Sequence, residues 1–282
     1  MLIAGAVCPH PPLLIPAGPG PAGAGPPAEL RRVADAAARA VTGLVAARPD
    51  LIVVVGGGAA EREHGPGSAG ALHAFGVGVT VGAGEPVLPL SLTVGRWLLE
   101  RAGVLATAGA GELAGAGAAS GRGTAVPGGG TGTPGDAAAS SGTAGAAVPD
   151  GIGVVFQEVA RRATAGECLK LGRILADRAP RVAVLAMGDA CARPAREAPG
   201  IPDLEAQDYD EEVAEALAAA DARWLARLDP ALDDELAVAG RAAWQVLAGA
   251  ARGTRMHGRL LCMSAPYGVT YLVACWEEVR TD

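Results

Sequence analysis

The chain has 282 residues, half of them hydrophobic but only 3% aromatic, with 42 glycines and 21 prolines; this length suits one large α/β domain or two small ones, with small residues carrying much of the apolar fraction. Its 23 basic and 30 acidic side chains leave a net charge of −7, so there is no basic surplus of the kind that nucleic-acid binding draws on, and no nucleic-acid partner is expected. No stretch approaches the roughly 18 consecutive apolar residues of a membrane span, and the opening segment lacks a basic n-region and meets Pro9-His10-Pro11-Pro12 where a signal cleavage would fall, so the expectation is a cytoplasmic protein without a membrane partner.

Residues 2–7 read as a short buried strand, followed by a Pro/Gly loop over 9–27. A helix is predicted over 28–47, with Leu30, Val33, Ala37, Val41, Leu44 and Val45 on one face. Residues 51–55 (LIVVV) are β-branched and too short for a helix, so they predict a second strand, ended by Gly56-Gly57-Gly58. A polar loop through His64 and His73 leads to an apolar segment at 88–92 and a helix over about 93–102. From 104 to 150, 38 of 47 residues are Gly, Ala, Ser, Thr or Pro, with four charges and no aromatic. Such a tract buries too little apolar surface to offset its ordering entropy and predicts a disordered low-complexity insertion within a single domain spanning 1–282.

Beyond the insertion, residues 152–159 are strand-like, and Thr164 followed by Glu167 forms a capping-box pattern for a helix reaching about 178. Residues 181–187 form the next buried strand, closed by Gly188-Asp189. Two helices are predicted over about 208–228 and 231–251, separated by Asp229-Pro230, and two final strands at 259–264 and 269–276 make a hairpin around Ala265-Pro266-Tyr267-Gly268. Helices between apolar strands imply an α/β fold, a three-layer α/β/α sandwich on a mostly parallel, mixed sheet with an antiparallel pair at its end. Ligands in such sheets sit beyond the strand C-termini.

That rule selects three loops: the one holding His10, the triple glycine running on to His64, and Gly188-Asp189-Ala190-Cys191. His10, held by prolines on both sides, is rigidly presented as a metal ligand or general base would be, and equally as a histidine fixing a turn. Gly56, Gly57 and Gly58 could turn backbone N–H groups toward an anion, or simply form a tight strand exit. His64 and His73 fall in a loop where solvated histidines are the default. Asp189 could accept hydrogen bonds from a ligand or coordinate a cation, and is a catalytic candidate; the alternative is capping of the next turn. Cys191 beside it is a pocket candidate. The five cysteines show no C-x-x-C spacing and read as buried hydrophobes. The acidic run at Asp208, Asp210, Glu211 and Glu212 fits a helix start, and Trp224, Trp244 and Trp276 fit core anchors.

Taken together, Pro9-His10-Pro11-Pro12-Leu13-Leu14, the 48–55 segment RPDLIVVV, Gly188-Asp189 and the closing 267–272 segment YGVTYL make the chain resemble the class III extradiol ring-cleavage dioxygenases, the LigB-like superfamily, as a divergent branch. The resemblance implies a LigB-like fold and an oxidoreductase that opens a catecholic ring with O₂ at ferrous iron held by two histidines and a glutamate. His10 matches the first metal histidine. At the place of the second the chain has Gly56-Gly57-Gly58; where the family carries its acid/base histidine it has Cys191-Ala192; and where the glutamate stands it has Val238-Ala239-Gly240. A facial two-histidine, one-carboxylate triad cannot be built from His10 alone. A rearranged Fe(II) site would draw on His10, His64, Asp189 and Glu235. The alternative is a non-catalytic LigB-fold protein, without metal, that binds a small molecule, aromatic or not, or a protein partner in the inherited pocket, with His10 retained for loop structure. A homodimer is the default assembly.

Overall fold

The computed structural model describes residues 1–16, 27–107, 151–192 and 204–279. The chain forms a three-layer α/β/α sandwich, as the alternation of apolar strands and helices predicts. Four strands make the parallel centre: β1 (Leu2–Cys8), β2 (Leu51–Gly58), β6 (Gly153–Ala160) and β7 (Val182–Met187). Every residue of β1 and β7 is buried, as expected of strands covered on both faces, which read as continuous apolar runs. The short strand β3 (Arg62–His64) pairs antiparallel with β6 at one edge, and β9 (Tyr271–Glu278) and β8 (Met256–Ser264) close the other, giving the order β3-β6-β2-β7-β1-β9-β8. A separate two-stranded ribbon, β4 (Gly70–Ala71) with β5 (Thr80–Val81), lies in the segment predicted as loop.

Strand alternation sends successive side chains to opposite layers. Ile52 and Val54 face α1 (Ala28–Ala46) and α2 (Leu90–Arg101), while Val53 and Val55 face α3 (Ala165–Ala176), α4 (Leu204–Ala219) and α7 (Arg241–Ala250). Helix α1 buries Leu30, Val33, Ala37, Val41 and Leu44, the predicted stripe, with Val45 packed at its margin. The capping box at Thr164 forms in full: its hydroxyl accepts the Glu167 N–H, and the Glu167 carboxylate accepts the Thr164 N–H at 2.8 Å.

Several boundaries differ from expectation. The triple glycine does not end β2 but continues it, paired residue for residue with Glu158, Val159 and Ala160 of β6. Helix α2 starts at Leu90, so the 88–92 segment is its entry. The two predicted late helices are four: α4, α5 (Ala222–Leu225), α6 (Pro230–Leu236) and α7. Left-handed backbone at Ala220 (φ 51°) and Ala237 (φ 55°) breaks the helical path at points where no Gly or Pro announced it. Asp229 caps α6 with Pro230 at its first position, as the Asp-Pro step predicts. Val104 and Leu105 belong to the core rather than to the low-complexity tract, whose positions 108–150 lie outside the described residues.

Candidate functional site

Each loop selected from sequence leaves the C-terminal edge of the sheet, and packing brings two of them together. Because β1 and β7 are parallel neighbours, with Cys8 paired to Met187, their exits place His10 beside Asp189. The His10 backbone N–H donates to Asp189 Oδ1 at 2.7 Å, and its Nδ1 lies 3.7 Å from the same oxygen. That second distance is too long for a hydrogen bond, and Nδ1 is buried without a hydrogen-bond partner. The two side chains keep 12% and 15% of their surface exposed. Asp189 thus caps across the gap to the first strand rather than into its own turn.

The Gly188–Cys191 strap is fastened from three sides. Gly188 N–H donates to Cys8, Ala190 N–H to Thr270, and Thr270 N–H returns to Cys191. Ala239 N–H donates to the Asp189 carbonyl, and Cys191 N–H to the buried carboxylate of Asp210 at 3.0 Å. Asp210 therefore serves the strap rather than a helix dipole, because α4 begins a turn earlier than predicted. Behind Asp189 lies Tyr271, whose hydroxyl is pushed up to about 12, first by burial and then by the Asp189 charge. Val238-Ala239-Gly240 reaches the same edge: a Cβ on Gly188 would stand 2.1 Å from the Gly240 Cα, and one on Gly57 would meet the Ala239 carbonyl at 3.6 Å.

His64 goes elsewhere, and it is not solvated. It is 6% exposed on β3, with Nε2 3.3 Å from Glu158 Oε2. The other oxygen of Glu158 accepts the N–H groups of Ala59 and Ala60 at 2.7 and 3.3 Å. A Cβ on Gly58 would sit 2.1 Å from that carboxylate, and one on Gly56 would meet Ser91 Oγ at 2.4 Å. The triple glycine clears space for Glu158 and for the start of α2, and the backbone donors that follow it bind an anion supplied by the chain itself. Glu158 escapes a reading of the sequence because a strand glutamate carries no motif; its only trace is the missing Cβ at Gly58, two residues along β2 from its sheet partner Gly56. His73 is exposed on a 3-10 turn (His73–Phe75), and Glu235 is exposed on α6.

Ferrous iron, implied by the resemblance, does not fit these residues. His10 follows β1 and His64 lies on β3, four steps apart in the sheet, roughly 19 Å at ~4.8 Å per step. Among the described residues no three of His, Cys, Asp and Glu gather as a metal group. The positions where the resemblance puts further ligands are packed shut: a Cβ on Gly240 would stand 2.1 Å from the Trp244 ring, and Gly58 abuts Glu158.

Two cavities touch the segments that follow β1 and β7, with neither His10 nor Asp189 in their linings. One, of about 510 Å³, lies between α4 and the β8–β9 turn and is lined by Cys191, Asp210, Glu211, Ser264 and Thr270 among others. The other, of about 350 Å³, lies between α1, α2 and the 3-10 turn Pro12–Leu14 that follows His10. All five cysteines are free thiols; Cys8, Cys168, Cys191 and Cys275 are buried, and burial pushes the Cys168 thiol up to about 11. Trp244 and Trp276 are core anchors, the latter donating to the Leu217 carbonyl at 2.8 Å.

No protein-family model matches the chain, and no curated protein sequence does. Among solved structures, the chain is similar to the crystal structure of an uncharacterized protein, JW3007, from Escherichia coli K12, at 14% identity over 98% of this chain and 99% of that one, with a TM-score of 0.46. No helix of the described residues is long and apolar enough to cross a membrane.

Proposed function

We infer that the protein is a LigB-like small-molecule-binding protein that works without the iron triad of the ring-cleavage dioxygenases. One observation carries this reading. The loops after β1 and β7, the Val238–Gly240 turn and the start of β9 converge at one sheet edge beside a 510 Å³ cavity, while the would-be iron ligands are scattered or replaced by packed glycines. A cavity of that size suits a small ligand, and its lining offers hydroxyl, amide and carboxylate groups for hydrogen bonding. His10 and Asp189 lie outside its lining and connect to it through the 188–191 strap, whose Cys191 lines it. A cytoplasmic location and a homodimer belong to the same reading.

The test is iron content after anaerobic purification with added Fe(II), O₂ uptake with catechol, and calorimetric titration with catechol as probe. The expected result is substoichiometric iron that does not change in His10→Ala, background O₂ uptake, and saturable catechol binding. Stoichiometric iron lost in His10→Ala, together with catechol-dependent O₂ uptake, would instead establish a dioxygenase with a rearranged site. Absence of catechol binding would remove the aromatic ligand from this reading.

A further inference from the structure

Helices α1 and α2 share one layer of the sandwich but leave a slot between them. Along α1, Leu30, Ala34 and Ala38 recur at helical spacing and line one wall. Along α2, Trp97 and Leu98 with Arg101 and Ala102 one turn later line the other. Leu13, Leu14 and Pro16 close the end, with Leu13 52% exposed. The slot exists because α1 carries alanines where α2 presents an indole: two methyl groups opposite a large flat ring leave room for about 350 Å³. That lies within the range of small-ligand pockets.

Its charge runs against that of the molecule. The chain carries a net −7, yet the charged residues lining the slot are Arg31, Arg101 and Asp35, a net positive group. The Arg101 guanidinium stands over the Trp97 ring, 5.0 Å from its centroid. This stacking holds a cation at the lip of an apolar space, and a guanidinium presents planar paired donors that match a carboxylate. The Thr42 hydroxyl, a neutral polar group of the lining, is already donated to the Ala38 carbonyl at 2.8 Å.

We propose that this slot is a binding site for a small apolar carboxylate, with its hydrocarbon part between Ala34, Ala38 and Trp97 and its carboxylate at Arg101. Apolar burial supplies most of the affinity at about 25 cal/mol per Å², and the arginine supplies the choice of sign. This site is separate from the cavity at Cys191 and does not depend on the function proposed for it.

The experiment is isothermal titration of the full chain with octanoate, and with octylammonium as the same hydrocarbon bearing the opposite charge. Ala34→Phe fills the slot at a half-buried position, Arg101→Gln removes the charge, and circular dichroism verifies that both variants fold. Saturable octanoate binding, absence of octylammonium binding, loss in Ala34→Phe and a roughly tenfold weakening in Arg101→Gln, which corresponds to about 1.4 kcal/mol, are the results expected. Equal binding of octylammonium, unchanged octanoate binding in Ala34→Phe, or no saturable binding of octanoate would each overturn the proposal. So would a self-associated state in sedimentation that Ala34→Phe dissolves, which would make a second copy of the chain the occupant.

Discussion

The sheet's C-terminal half holds two histidine–carboxylate contacts, built alike and doing different work. At the β3 edge, His64 and Glu158 are 5% and 9% exposed, and both Glu158 oxygens face internal partners: two backbone N–H groups on one, the imidazole on the other. Near the centre, His10 and Asp189 are more open, and Asp189 takes one backbone N–H, from His10, on one oxygen. The carboxylate of the closed pair is engaged on both oxygens, whereas that of the open pair accepts on one. Residue type does not distinguish them, since each is one imidazole and one carboxylate. What distinguishes them is how many backbone donors the surrounding loops have already spent.

The contrast breaks most visibly at Glu158. Glu158→Ala leaves the Ala59 and Ala60 N–H groups and His64 without their acceptor in a buried place, so a loss of about 3 kcal/mol is expected in urea unfolding. A loss under about 1 kcal/mol, the range of a surface pair, would show that the closed pair is not a structural anchor. Next comes the wall behind the open pair. Gly188→Ala places a methyl against the Gly240 backbone at 2.1 Å, where no flexible side chain can yield, and about 2 kcal/mol of overpacking is expected. The same unfolding measurement checks it, and an unchanged midpoint would mean that the α6–α7 turn moves aside freely.

How far these features can be read from the sequence depends on the interaction that made them. The central strands, the buried stripe of α1, the Thr164–Glu167 capping box and the Asp229-Pro230 helix start are legible because each is a local pattern with a local cause. So is the meeting of the His10 and Asp189 loops, which follows from the rule that places sites at strand ends. The breaks at Ala220 and Ala237 are not legible, because left-handed alanine has no residue signal and is imposed by tertiary packing. Nor is the partnership of His64 with Glu158, 94 residues apart and joined only by the register of β3 on β6. The triple glycine is visible as a special place, but what it accommodates is not.

An effect of similar size tests whether the support of the open pair responds to pH. Asp233 is buried on α6, accepts the Tyr209 hydroxyl at 2.7 Å and forms an ion pair with Arg241. Burial outweighs both partners and raises its carboxyl from 3.8 to about 6. A raised acid contributes stability that is fully present below the unfolded value and is lost as pH rises through the folded one. Unfolding free energy from this group should therefore fall by roughly 2 kcal/mol between about pH 4 and 6.5, and Asp233→Asn should remove that slope. A slope that survives the substitution assigns the titration to another group.

The least disturbance is expected at His10, and its smallness is what separates the two pairs. His10→Ala removes an imidazole whose Nδ1 has no hydrogen-bond partner, and it leaves the contact that fastens the loop, because the donor to Asp189 is the His10 backbone N–H. Stability should fall by no more than about 1 kcal/mol, because the 12%-exposed imidazole gives up packing but no hydrogen bond at Nδ1. His64→Ala strips a buried carboxylate of its partner and should cost several times more. Parallel unfolding curves of the two variants decide the matter. Equal losses would make His10 a structural residue like His64, whereas a near-silent His10→Ala leaves its side chain with no structural task, which is the condition a ligand-facing histidine must meet.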